Sequence, residues 1–516
     1  MKSLAAILLA IAVALGAIAL LNRSGSSGSG SGPTPTALMV FCAAGLKPPV
    51  ESAAEAYRRE TGVQVQMQFG GSGTLLSQIR VAKLGDLYLA ADDAAIADAR
   101  KFDTIREVIP LVRQTPVIAV RAGNPKSIRA LADLLREDVR VALANPEAAS
   151  IGKATRAAAG DMWPALSARA AVMKPTVTEI ANDLQIGAVD AAIVWDSTVP
   201  QFKGLGSVAV PELNQRAENA SAALLVASKQ SQAALKFARY LAAPEKGGAI
   251  FEKHGFKPLR GDKWAAKPEL ILYSGGVNRL AIENLLKQFA EREGTSITTV
   301  FNGCGVLCAT MKTMGDASAP RFPDAYYACD LCFVPPVAAF FPEAVILTET
   351  DIGIVVKKGN PRDVKTPADL AQPALKVGLC NADQSTLGYM TRGMLKSSAI
   401  WDAIRKNVVV EVPTADFLIN QMRAGGLDAA IVYRVNAQPQ AEHLEFIPIQ
   451  HAGAKAVQPF AVRSGSPNRQ LATRLLEFLK ANRGDFEAAG FLWRGNEAPV
   501  KSSGIEVPAW LRETNK

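Results

Sequence analysis

The body of this chain is one unit written twice, and that limits its fold more than any other feature. Leu38-Met39-Val40-Phe41 is answered 232 residues later by Leu270-Ile271-Leu272-Tyr273, and Phe69-Gly70-Gly71-Ser72-Gly73 by Phe301-Asn302-Gly303-Cys304-Gly305 at the same offset. Gly123-Asn124-Pro125 returns as Gly359-Asn360-Pro361 after 236 residues. Val189-Asp190-Ala191-Ala192-Ile193-Val194-Trp195 returns as Leu427-Asp428-Ala429-Ala430-Ile431-Val432-Tyr433 after 238. Offsets that grow only by small loop insertions mark a tandem duplication, so the fold to explain is a module of about 225 residues, repeated. The boundaries read as 37–260 and 268–496, with 497–516 as a C-terminal tail.

Within a copy, short strands alternate with helices. Val63 to Phe69 has period two, as a strand with one polar face does, and Val50 to Arg59 reads as the helix before it. Ala191 to Trp195 is an unbroken apolar run after a helix from Val177 to Gly187, which suits a buried parallel strand. Repeated strand–helix units predict an α/β fold of doubly wound lobes, and about 225 residues supply two lobes per module. Ligands of open α/β sheets sit beyond the carboxyl ends of strands, so chemistry is expected at strand-to-helix turns.

Ahead of the repeat, Leu4 to Leu21 carries no charge, a length at the lower limit for a membrane-spanning helix and above the usual signal-peptide core. Ser24 to Gly32 alternates Ser and Gly and runs into Pro33-Thr34-Pro35, a composition that cannot bury apolar surface. The expectation is a transmembrane anchor over 1–23, a linker over 24–36, and a body outside the cytoplasmic membrane. The alternative is a signal peptide cleaved after Ala17-Ile18-Ala19, which exports the body as well. Hydrophobic residues make up 49% and charged residues 20%, so the chain buries a real core and wholesale disorder is excluded. The net charge of +9 is spread thinly, in runs no longer than pairs such as Lys357-Lys358, so no nucleic-acid partner is expected. The surplus fits a surface that attracts anions.

Four turns in the first copy place small residues before helices: Phe41-Cys42-Ala43-Ala44-Gly45, Phe69-Gly70-Gly71-Ser72-Gly73-Thr74, Asn145 to Ser150, and Pro175-Thr176-Val177. Orphan N–H groups and the helix dipole make such turns ready anion sites, and Ser72 adds a hydroxyl. Small residues also precede helices for capping alone, which is the competing role for Ser72. For Trp195 and Tyr433 the competing role is core packing.

These residues carry a resemblance. Phe41-Cys42-Ala43-Ala44-Gly45-Leu46, Gly71-Ser72-Gly73-Thr74-Leu75, Gly85-Asp86-Leu87-Tyr88 and Asp190 to Trp195 resemble the periplasmic molybdate-binding family, among the type II periplasmic binding proteins of ABC transporters. The resemblance spans Ala37 to about Arg260 and again Glu269 to about Arg494. It implies, for each module, two lobes that close about a hinge on a small tetrahedral oxyanion, held by serine hydroxyls, backbone amides and one tyrosine. By position the first serine falls on Gly45 and Val277, and the second on Ser72 and Cys304. The amide-donating turns fall at Ala149 and Ser385 and at Val177 and Ala415, and the tyrosine at Trp195 and Tyr433. The first copy thus keeps one serine and the second keeps the tyrosine. Trp195 offers an N–H donor where the family has a hydroxyl.

Five of the six cysteines lie in the second copy: Cys304, Cys308, Cys329, Cys332 and Cys380. Cys304-x3-Cys308 with Cys329-x2-Cys332 has the look of a four-thiolate metal site. In an oxidising compartment, a disulfide between Cys304, on the first turn of a helix, and Cys329, at the end of a neighbouring strand, is the stronger expectation. His254, His443 and His451 show no metal spacing and no positional pairing with Ser72 or a cysteine, so neither a metal site nor an enzyme is expected. Asp86, Asp190 and Asp428 sit at strand starts, where turn roles are the default. No cofactor is expected. The implied function is extracytoplasmic capture of a molybdate- or tungstate-like oxyanion for an ABC permease. The alternative is a membrane-anchored sensor or interaction protein that reuses the fold.

Overall fold

The computed structural model describes residues 37–507 except 316–318 and 320. The anchor and linker expected over 1–36 lie outside the described residues, as do 508–516. Among the described residues no helix is long and apolar enough to cross a membrane.

Each module has two α/β lobes. In the first lobe of module one, the strand order is Lys257–Pro258, Ile105–Gln114, Glu218–Leu225, Leu87–Ala90, Leu38–Ala43 and Val65–Gly70. Leu38–Ala43 runs parallel to both Val65–Gly70 and Leu87–Ala90, while Glu218–Leu225 lies antiparallel to Leu87–Ala90. The second lobe orders Ala170–Lys174, Val141–Ala144, Ala191–Trp195, Pro116–Arg121 and Leu205–Val208. Ala191–Trp195 is buried throughout and parallel to Val141–Ala144, yet antiparallel to Pro116–Arg121. The sheets are therefore mixed and not wholly parallel. The strands that carry the chain between lobes return in the opposite sense, a feature that hydrophobic periodicity does not encode.

Those crossing strands link the two lobes. In module one Ile105–Gln114 and Pro116–Arg121 are separate strands, because Pro116 offers no N–H to continue the ladder. Thr115 between them is tied to Asp196, N–H to Oδ1 at 2.9 Å. Module two places Ile352 opposite Tyr433, as Pro116 lies opposite Trp195. There Glu343–Lys357 runs as one strand through both lobes. Residues 500–502, expected within a tail, instead join module two: Val500–Lys501 pairs with Glu343–Ala344, and Ser502 is buried.

The helices start where the turns predict. Lys47–Thr61 follows Leu38–Ala43, Ser72–Ala82 follows Val65–Gly70, Ser150–Ala159 follows Val141–Ala144, and Val177–Gln185 follows Ala170–Lys174. Gly62, at a φ of 76°, ends the first of these in the left-handed conformation that suits glycine. The acidic residues at strand starts are tied into turns. Asp86 accepts from Met39 N–H at 2.9 Å and from Ser228 Oγ at 2.7 Å, and Asp190 accepts from Arg140 N–H at 3.0 Å.

The modules meet through charge as well as apolar packing. Glu293, at the end of helix Arg279–Glu293, is fully buried between Arg239 of module one and Arg474 of module two. Asp262, in the inter-module segment, accepts from the N–H groups of Gln470 and Leu471 at 2.7 and 2.8 Å.

Candidate functional site

In module one the four strand-to-helix turns converge. Gly45, Ser72, Ala149, Val177 and Trp195 line one cavity of about 20 Å³, together with Gly71, Ala91, Gln114, Ser150 and Thr176. Gly45 belongs to the short turn Ala44–Leu46, Ser72 opens helix Ser72–Ala82, Ala149 caps helix Ser150–Ala159, and Val177 opens helix Val177–Gln185. Trp195 closes strand Ala191–Trp195. The lobes are shut against each other. Gly73 N–H donates to Ala148 O across the gap at 3.0 Å, and a Cβ on Gly71 would stand 2.3 Å from that same oxygen. Glycine at 71 is thus what lets the two turns touch.

Ser72 does not cap its helix, whose N-cap is Gly71. Its Oγ accepts from Ala91 N–H at 3.2 Å, and its carbonyl accepts from Tyr88 OH at 2.9 Å, which pins the turn to the adjacent strand. Beside it, Ser150 Oγ is buried with no hydrogen bond of ordinary geometry, and the Asp92 carboxyl is the acceptor it faces. A buried hydroxyl left unpaired costs free energy unless a ligand or water satisfies it. Gln114 completes the wall: its Nε2 donates to Ala91 O at 2.6 Å and its Oε1 accepts from Ser197 Oγ at 3.0 Å. Burial pushes the carboxyl of neighbouring Asp92 above the ordinary range, while the Ser150 hydroxyl and the Ala95 N–H oppose the rise.

Module two repeats the frame with different chemistry. Val277, Cys304, Ser385, Ala415 and Tyr433 are all buried. They lie in turn Gly276–Asn278, at the start of helix Cys304–Met314, at the cap of helix Thr386–Ser397, at the start of helix Ala415–Arg423 and at the end of strand Ala429–Tyr433. Gly303 plays the part of Gly71, since a Cβ there would stand 2.1 Å from Gln384 O. Cys304 Sγ accepts from Cys329 N–H at 3.1 Å, the bond that Ser72 Oγ makes to Ala91 N–H. The Cys329 carbonyl accepts from Gln458 Nε2 at 3.0 Å, as that of Ala91 accepts from Gln114. The two glutamines come from non-equivalent strands, Lys455–Val462 and Ile105–Gln114, so alignment of the copies does not pair them.

Cys304 and Cys329, expected as a disulfide, stand as buried free thiols with sulfurs 3.0 Å apart. A covalent S–S bond is about 2.05 Å, so this contact is a thiol hydrogen bond. Burial opposes ionisation of Cys304. Bonds from the Cys329 thiol, the Tyr326 hydroxyl and the Cys329 N–H outweigh it and hold Cys304 below the ordinary thiol value. Cys329 is pushed well up, first by donating to Cys304 and then by burial. Tyr433 Oη is buried with no hydrogen-bond partner. Burial, then the proximity of Cys329 and Cys304, keeps the Tyr433 hydroxyl protonated and able only to donate or accept a neutral bond. Among the described residues no group of three or more His, Cys, Asp or Glu could hold a metal ion.

Sequence reading missed Gln114, Ser150 and Gln458. Gln114 carried a faint signal as a polar residue placed just before Thr115-Pro116 at the end of an apolar strand. His254 lies at the surface, 3.3 Å from Ser52 Oγ, away from either cleft.

Residues 38–257 and 270–492 each match the family of bacterial extracellular solute-binding proteins, and the chain belongs to that family. A binding protein of Haemophilus influenzae is 27% identical over 225 residues, covering 43% of this chain and 91% of its own. The molybdate-binding protein ModA of Escherichia coli is 28% identical over 235 residues, covering 42% of this chain and 88% of its own. Among solved structures, the periplasmic molybdate-binding protein of Azotobacter vinelandii aligns with 42% of this chain and 98% of its own, at 18% identity and a TM-score of 0.37. The relatives named are binding proteins and not enzymes.

Proposed function

We propose that module one captures a small tetrahedral oxyanion of the molybdate or tungstate kind, outside the cytoplasmic membrane, for delivery to an ABC permease. The observation that carries this reading is the cavity where four turns meet, on whose wall Ser150 Oγ is a buried hydroxyl with no hydrogen bond of ordinary geometry. Ser72 and the amides at Gly45 and Val177 supply donors of the type an oxyanion needs, and Trp195 supplies an indole N–H, while the Ala149 N–H is engaged with Asn145 O at 2.9 Å. The similarity to ModA supports the choice of ion. In the shut form the cavity has room for about one water, so the guest enters an opened clamshell and replaces it on closure. In module two Val277, Cys304, Ser385, Ala415 and Tyr433 take the corresponding places. An N-terminal anchor over 1–23 would keep the body near a permease, with the linker setting its reach.

Isothermal titration of the full chain with molybdate, tungstate, sulfate and phosphate tests the reading. Tight heats with the first two and weak heats with the others are expected. No heat with any of the four sinks it. Co-purification with a permease and its ATPase tests delivery, whereas recovery of a sensor kinase instead would redirect the assignment to signalling.

A further inference from the structure

We infer that Cys304 and Cys329 form a redox-addressed site that decides whether the cleft of module two accepts an anion: as thiols they bar it, as a disulfide they admit it. The inference rests on the oxyanion reading of the fold given above.

The pair is built into the cleft by compensating changes. Module one has Ala43, Ser72 and Ala91 where module two has Gly275, Cys304 and Cys329, each set at the ends of equivalent paired strands. Gly275 is what makes room for the second thiol, since a Cβ there would stand 2.2 Å from Cys329 Sγ. Losing a methyl on one strand to admit a sulfur on the next is the volume exchange expected when a close-packed site is kept full.

The place they occupy is the anion position. Cys304 is the first residue of helix Cys304–Met314, where orphan N–H groups and the dipole favour negative charge. It accepts the Cys329 N–H at 3.1 Å and lies in thiol contact with Cys329 Sγ at 3.0 Å. Once ionised, Cys304 supplies the negative charge that a guest would bring, and a second anion would meet it at short range in a low dielectric. The lowered pKa of Cys304, which favours its ionisation, agrees with this. Tyr433 Oη remains buried and unpartnered nearby, a donor without an acceptor.

Oxidation reverses the balance. When the lobes part, the Cys304 thiolate attacks a small-molecule disulfide and expels one thiolate. The Cys329 thiol then loses its proton and displaces the second thiolate from the mixed disulfide. Two electrons pass from the two cysteine sulfurs to the reagent, which leaves as two thiols. The cleft loses its resident charge, and the Cys329 N–H, no longer bonded to a thiolate, is free to donate to a guest.

The test uses the full chain, either reduced and freed of reductant or equilibrated with oxidised glutathione, with bridges mapped by peptide mass spectrometry and titration with sodium molybdate. The reduced chain is expected to take one molybdate and the oxidised chain a second, with a mapped Cys304–Cys329 bridge. Cys304→Ser, a neutral hydroxyl as in module one, is expected to take the second equivalent in both states. A mapped bridge with unchanged stoichiometry, or no bridge after equilibration, overturns the redox step alone. No molybdate uptake in either state overturns the oxyanion reading as well.

Discussion

Arg239 of module one donates through Nη1 to Glu293 Oε2 of module two at 2.9 Å, with the carboxylate wholly out of solvent. Arg474 donates through Nε to Oε1 and through Nη2 to Oε2, so one buried anion is shared between two guanidinium groups. Paired charges of this kind stabilise little in net terms, but removing one partner leaves uncompensated charge in a low dielectric. The junction between modules is therefore specified by charge geometry that tolerates few substitutions.

Glu293→Gln strands Arg239 and Arg474 against a neutral amide. The expected loss is about 3–5 kcal/mol, read as a lower unfolding midpoint in differential scanning calorimetry. Calorimetric traces identical to wild type would show that the junction contributes nothing to stability.

The same carboxylate makes the junction sensitive to acid. Burial acts to raise the Glu293 pKa, but Arg474 and Arg239 outweigh it and leave it below the ordinary value. A folded-state pKa below the unfolded one contributes stability that is present above the unfolded pKa of about 4.3 and is lost as pH falls through the folded value. Thermal midpoints measured from pH 7 to pH 3 are expected to fall in the acid limb less steeply for Glu293→Gln than for wild type.

Gly71→Ala inserts a Cβ at 2.3 Å from Ala148 O and 2.5 Å from Pro175 O, both across the cleft, at a φ of −68° that alanine adopts freely. Backbone strain is absent, so the substitution acts on closure. An affinity loss of about 100-fold for molybdate, near 2.7 kcal/mol, is expected with little change in melting temperature. Small-angle scattering should show module one opened. Unaltered affinity would mean that the turn at Gly71 does not govern closure.

Ser72→Ala removes the acceptor for the buried Ala91 N–H. The expected cost is about 1–3 kcal/mol in denaturant unfolding, together with weaker molybdate binding. Stability loss without any change in binding would confine Ser72 to a structural role.

Tyr433→Phe deletes a buried hydroxyl that has no partner. The ligand-free protein is expected to gain about 1 kcal/mol, because an unsatisfied polar atom leaves the interior without opening a large cavity. Uptake by the oxidised second cleft should weaken in the same variant. A loss of stability would place an unseen partner on Tyr433.

Much of the architecture was legible before any coordinates. The duplication follows from matched segments such as Gly71-Ser72-Gly73 and Gly303-Cys304-Gly305, and helix starts at Ser72, Ser150 and Val177 follow from small or capping residues after apolar strands. These signals are local, with the period of a strand or the chemistry of one turn. The antiparallel return of strands such as Glu218–Leu225 escaped, because sheet direction is set by chain topology and not by the side-chain alternation that both senses share.

What the sequence by itself determined is the repeated α/β plan and the turns on which chemistry can sit, since backbone sterics and hydrophobic period act over a few residues. Only the tertiary structure decided which side chains meet. Gln114 and Gln458 reach equivalent carbonyls from unlike strands, Cys329 arrives beside Cys304 because Gly275 yields space, and Glu293 finds Arg239 across the module boundary. Those meetings depend on lobe closure and docking of distant segments, where packing volume and the cost of buried charge make the selection.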